Sequence, residues 1–228
     1  MTPVLRKSLL TLLCGSSLLL TGCMKDFPEM SYNQADADYA KLLQEEIKSD
    51  NSYAARLQLA RLQFEHNQLE QADQLLEQLV QEDANDMEAL AWYGANECKL
   101  VGEAFPWLMG IDKYQGAKRC LGKVKTALDK APDNFTVQLI AINTGSAVNL
   151  GDSLDWATST RESLEKSITQ NTQNYPAEVV DYFYLAAAEN DLAREKVDSG
   201  KGYLNKVVTE KRNDRLVAMA NNRLATIQ

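Results

Sequence analysis

The chain has 228 residues, 45% hydrophobic and 25% charged, with 24 Lys and Arg against 32 Asp and Glu, a single His and a formal net charge of −8. That length suits one domain or a small solenoid, and the scarcity of Pro and Gly, 5 and 11 residues, favours helix. Net acidity without a basic cluster excludes nucleic acid as a partner and argues against a protein surface that binds anionic lipid.

The first element is a targeting segment. Arg6 and Lys7 form a short positive region, Leu9 to Leu20 is apolar apart from small residues, and small Thr21 and Gly22 stand directly before Cys23. That is the order of parts in a secretory signal. Leu9 to Leu20 is too short for a membrane span, which takes about 20 apolar residues. With cysteine after the small residues, Leu20-Thr21-Gly22-Cys23 resembles the lipobox of bacterial lipoproteins. The resemblance implies that residues 1–22 are a cleaved signal peptide and that Cys23 becomes the first residue and carries acyl chains such as palmitate. Loss of Arg6 and Lys7 takes the net charge from −8 to −10. Met24 stands where an Asp would imply retention at the inner membrane, so the same resemblance implies the outer membrane, periplasmic face. Several acyl chains tether durably where one does not. Residues 23–32, with Pro28 and no periodicity, read as the lipidated N-terminus and a linker, and residues 33–228 as one helical domain.

Asn33 to Lys48 reads as a flanking amphipathic helix, followed by self-similarity at a period of about 34 residues. Tyr53 to Asp86 has the register of a tetratricopeptide repeat (TPR), with small Ala60 and Ala72 where paired helices approach most closely. Leu59, Leu62, Leu69, Leu75, Leu76 and Leu79 form the apolar stripe, and His66-Asn67-Gln68 the turn, with His66 expected to face water.

Met87 opens a second unit, with Trp92-Tyr93-Gly94 on its first helix and an ending at Lys130-Ala131-Pro132-Asp133-Asn134 that resembles the end of a TPR. Counting back from Pro132 places Cys120 at the second small position. The unit carries an apolar insert of about 14 residues. Within it, Phe105, Trp107, Leu108, Met109 and Ile111 are costly to leave in water, at about 1.5–3 kcal/mol for each large side chain. The insert either folds back on the second and third units, with Phe105 and Trp107 as anchors, or docks on a partner; Pro106 suits a helix start and favours folding back.

Phe135 to Asn174 is a degenerate third unit with its turn at Leu150-Gly151-Asp152. A fourth spans Asp181 to Asp214, with Ala188 and Gly200 at its small positions, and Gly200 and Gly202 read as close-packing glycines. Leu216 to Ile227 reads as a capping helix. The resemblance implies an all-α, right-handed superhelix of about four helix pairs, with an insert in the second and cap helices at the ends.

Cys98 and Cys120 remain in a compartment where disulfides persist. They lie on paired helices, so they either bridge across the base of the insert or stay as two buried thiols. No nucleophile–base pair, metal-ligand spacing or phosphate-cradling Gly loop is visible, and acidic pairs such as Glu45-Glu46 and Glu82-Asp83 read as solvated helix faces. No catalytic residue, cofactor or metal is expected.

Members of the TPR family bind through the inner face of their first helices. By that resemblance the groove positions here include Leu57, Arg61, Phe64, Glu65, Glu88, Lys99, Tyr182 and Glu189. Phe64 and Tyr182 have a plainer reading as packing between units. The expected function is an outer-membrane-anchored adaptor binding an envelope protein or peptide. The alternative is an accessory component of a transport system that holds a small molecule in a solenoid pocket.

Overall fold

Helix starts follow the capping chemistry of the sequence. The side chains of Asn33, Ser52, Asp86, Asn134 and Asn213 each accept from a backbone N–H two or three residues on, satisfying donors that a first helical turn leaves orphaned. Asn51, Asn149 and Lys211 stop helices in the left-handed region, at φ 54°, 45° and 50°. The computed structural model describes residues 26–104 and 110–227. Among them are ten α-helices: α1 (Gln34–Asp50), α2 (Tyr53–Glu65), α3 (Leu69–Glu82), α4 (Met87–Glu103), α5 (Ile111–Lys130), α6 (Phe135–Val148), α7 (Ser153–Gln170), α8 (Ala177–Ala193), α9 (Val197–Glu210) and α10 (Asp214–Thr226).

The pairs α2–α3, α4–α5, α6–α7 and α8–α9 stack in order, and α2, α4, α6 and α8 form the inner layer, with α1 and α10 at the two ends. The protein is an all-α TPR-like solenoid. Each helix pair is set by small residues at its crossing. Ala60 and Ala72 are wholly buried. A Cβ on Gly94 would lie 2.8 Å from Val124 Cγ2 and 2.9 Å from the Cys120 carbonyl oxygen, and one on Gly200 would lie 2.8 Å from Leu192. Gly145 plays the same part in the third pair, 2.6 Å from the Ser153 carbonyl. Gly202, by contrast, is exposed with open space around it, so its expected packing role does not hold.

The core runs unit by unit from Leu43 and Leu59, through Leu76 and Leu79, then Val124 and Ile140, to Phe183, Leu204 and Val207. Burial of these apolar faces between successive pairs is what a solenoid offers in place of a single central core.

One expectation needs correction at the N-terminal end. The linker before Asn33 has no regular structure and is tied against the fold from Phe27 onward. The Phe27 N–H donates to Glu103 (3.1 Å), Asn67 Nδ2 to the Pro28 carbonyl (3.0 Å), the Met30 N–H to the His66 carbonyl (2.9 Å) and the Tyr32 hydroxyl to Gln68 (2.6 Å). This strap and the start of α1 cover His66, which is 7% exposed instead of facing water. Its Nε2 lies 3.1 Å from Asp36 Oδ2, and Tyr32 packs edge-on at 4.6 Å. The turn residue is buried because a segment distant in sequence lies over it. Cys23, the preceding signal segment, and the insert residues Phe105 and Trp107 lie outside the described residues.

Candidate functional site

The inner helices bring the expected groove positions together as two groups. In the first, α2 and α4 juxtapose Leu57, Arg61, Phe64, Glu65, Glu88 and Lys99. Leu57 and Phe64 pack against the core between the first and second units, Phe64 meeting Trp92 edge-on at 5.1 Å. Arg61 lies over the Trp92 ring at 5.4 Å and 3.5 Å from Glu88. Lys99 donates to the Phe64 carbonyl (3.1 Å) and to Asn67 Oδ1 (2.8 Å), with its ammonium 3.9 Å from the Phe64 ring centre and 5.5 Å from that of Phe27. Burial pushes its pKa down to about 8 against the pull of Glu65 and Glu103. Lys99 therefore ties α4 to the end of α2 and to the strap.

The second group is on α8. Glu189 pairs with Arg223 of α10 through both oxygens, at 2.6 and 3.0 Å. Tyr182 stays 42% exposed, a large aromatic on an inner helix left uncovered. Between the groups, Glu65 at the end of α2 pairs at 2.8 Å with Arg215 at the start of α10. The superhelix thus curls until its first inner helix meets its last helix, and this ion pair spans the mouth of the concave side. Most of the charged groove positions are spent on intramolecular contacts. Tyr182 is not.

The structure also brings Cys98 and Cys120 together as a disulfide between α4 and α5, with a Cα–Cα separation of 5.3 Å. Beside it, Lys123 pairs with Glu97 and stands 4.1 Å over the Tyr93 ring, and burial pushes the Tyr93 hydroxyl up to about 12.

Sequence periodicity gave no sign of the polar network in the C-terminal half. Arg161, buried on α7, donates to Glu165 (3.0 Å), Tyr203 (3.2 Å) and Glu162 (3.2 Å), and its Nε lies 3.9 Å from Asp191. Tyr203 in turn donates to Glu165, and Ser199 to Asp191, both at 2.5 Å. Burial raises the Tyr203 pKa, helped by Glu165. Asn190 donates to Ser146 (2.9 Å) and Arg212, in the turn before α10, to Asp181 (2.6 Å), so polar groups knit α6 through α9 and that turn. The only partial hint was the i,i+4 spacing of Arg161 and Glu165.

On the outer side, a cleft of about 230 Å³ lies between α5 and the start of α7, lined by Tyr114, Lys118, Leu121, Lys125, Leu150 and Trp156 among others. It is smaller than the usual range for small-molecule sites, about 300–1,000 Å³. Among the described residues, no group of His, Cys, Asp and Glu is arranged to hold a metal, and no helix is long and apolar enough to cross a membrane.

Comparison with curated proteins and with solved structures finds no match for this chain. Stacked helix pairs with an extended concave face are the architecture of protein-interaction scaffolds. Residues 30–92, which run from the strap through α1, α2 and α3 into α4, match the sequence model of the tetratricopeptide repeat family, so this all-helical solenoid carries tetratricopeptide repeat sequence.

Proposed function

We propose that the protein is a lipoprotein, acylated at Cys23 and held at the periplasmic face of the outer membrane, whose solenoid recruits an envelope protein or peptide without catalysis of its own. The observation that carries the recruiting role is Tyr182. It is a large exposed aromatic on inner helix α8, where the groove position Glu189 is already paired with Arg223. Tyr is among the residues that most often dominate interface energetics, because it offers large, rigid contact area with a polar tip. A concave face with one uncovered aromatic suits an extended segment or a helix of a partner protein. The lipobox-like Leu20-Thr21-Gly22-Cys23 supports the anchor.

Two experiments test the two halves of this reading. Metabolic labelling with a fatty-acid analogue should mark the parent and not Cys23→Ala; equal labelling removes the anchor. A photocrosslinking amino acid at Tyr182 in cells should capture a discrete envelope protein that the same probe at Gln78, on outer helix α3, does not. Identical adducts from both positions remove the groove.

A further inference from the structure

We infer that the outward face of α5, together with the cleft beside it, rests on the anionic phospholipid surface to which the protein is anchored. The inference depends on the acylation of Cys23 proposed above.

The strap fixes where the anchor leaves the fold. Phe27 is held at Glu103, on the last turn of α4, and the residues after it are pinned to Asn67, His66 and Gln68. Phe27 follows Cys23 by four residue steps. At a maximum of roughly 3.5 Å per residue they span at most about 14 Å. An acylated Cys23 therefore holds the end of α4 close to the membrane, and with it the start of α5, which the α4–α5 pairing places on the same edge. From Phe27 onward the described chain is strapped against the fold.

The surface presented there differs from the rest of the molecule. In a chain with a net charge of −8, α5 carries six basic residues against Asp112 and Asp129; Lys123 is paired with Glu97, Lys125 with Asp129 and Lys113 donates to the Gly102 carbonyl, so Lys118 and Arg119 are the bases its outward face offers. The whole-chain acidity that argued against lipid contact conceals this helix. Ile111, Tyr114, Gln115, Lys118 and Arg119 follow at spacings of three and four along its exposed side, with Ile111 and Tyr114 51% and 53% exposed. Lys118 and Arg119 make no ion pair among the described residues, and Lys118 stands 5.7 Å from the Tyr114 ring centre. Apolar and aromatic groups nearest the anchor, with bases following, is the order in which an amphipathic helix meets a lipid interface. The cleft opens on this same side, with Lys118 and Lys125 at its rim and Leu121, Leu150 and Trp156 supplying apolar wall.

The test uses the acylated full protein in vesicles of phosphatidylethanolamine and phosphatidylglycerol, with one nitroxide-labelled cysteine replacing Tyr114 or, as reference, Ala84 at the opposite edge. Each basic side chain beside an anionic leaflet shifts a docked equilibrium by roughly fivefold, and the contribution is screened by salt. At Tyr114 the nitroxide should be shielded from a water-soluble nickel chelate and open to oxygen, and at Ala84 the reverse. Lys118→Glu with Arg119→Glu should weaken the docked state by on the order of 20-fold, and vesicles of phosphatidylcholine alone should weaken it similarly. If the acylated protein leaves both labels equally open to the chelate, the face is not a membrane surface, whereas failure of acylation itself overturns the anchor instead. If Tyr114 is shielded only when a cell extract is added, α5 is a protein-docking face and the inference is wrong.

Discussion

The N-terminal pairs α2–α3 and α4–α5 and the C-terminal pairs α6–α7 and α8–α9 solve the same packing problem by different means. Small residues at the crossings and apolar stripes run through both halves; the first adds the Cys98–Cys120 disulfide, the Lys99 contacts and separate buried pairs, Arg56 with Glu82 and Asn96 with Asp73. In the second half a buried Arg161 collects Glu165, Tyr203 and Asp191, while Asn190 and Asp181 reach to Ser146 and Arg212. Separate pairs fail separately, because losing one strands only its own partner. The shared network is brittle: removal of one partner strands the others away from water.

That contrast is broken or sharpened by four measurements. The largest effect is expected at Arg161. Arg161→Ala leaves Asp191 and Glu165 without their cation, and breaking a buried pair costs about 3–5 kcal/mol, or a fall in Tm of about 6–20 °C at this size. A fall of under about 2 °C in a thermal scan would mean that the network contributes little and that the two halves are held alike.

The next largest belongs to the disulfide. Closing a loop with a sequence separation of 22 stabilises by about 3 kcal/mol through chain entropy. Cys98→Ala with Cys120→Ala should lower the urea midpoint accordingly, and the denatured, unreduced mature protein should show no reactive thiol at these positions. Two reactive thiols would remove the bridge.

Lys99 provides a pH signature confined to the N-terminal half. Its folded pKa of about 8 lies below the ordinary 10.5. The unfolded chain therefore binds more protons between those values, and stability rises as pH climbs through 8 toward 10. The rise should be about 1–2 kcal/mol, read as an increase in urea midpoint that is absent in Lys99→Met. Parallel pH curves for parent and variant would show that the lysine titrates as if solvated.

The smallest effect is expected at the mouth of the concave side. Glu65 and Arg215 are both partly solvated, and such pairs are worth about 0–1 kcal/mol. Glu65→Gln should leave the melting temperature nearly unchanged while widening the spread of distances between labels on α2 and α10. An unchanged spread would show that helix packing alone sets the curl.

Much of the fold was readable along the chain because it is written in local spacings. Ala60 with Ala72, and Gly94 with Cys120, mark helix crossings through a period that a linear reading detects. Gly145 escaped because the third unit keeps the crossing but loses the surrounding pattern. The groove positions on α2, α4 and α8 were likewise placed on inner helices by register alone. Register did not say that Glu189 would be taken by Arg223, Glu65 by Arg215, or Lys99 by the Phe64 carbonyl, since each partner lies 34 to 150 positions away on another helix.

The helix pairs, their order and the crossing residues of every unit but the third follow from the chain alone, because helix periodicity and close packing are short-range requirements repeated about every 34 residues. Tertiary structure alone decided which polar groups are consumed and which remain available. Superhelical curl carries α10 across to α2, the strap buries His66, and α5 leaves Lys118 and Arg119 on an outward face of an otherwise acidic protein. Those outcomes depend on the accumulated angle between successive helix pairs, a sum of small rotations that no single stretch of sequence encodes.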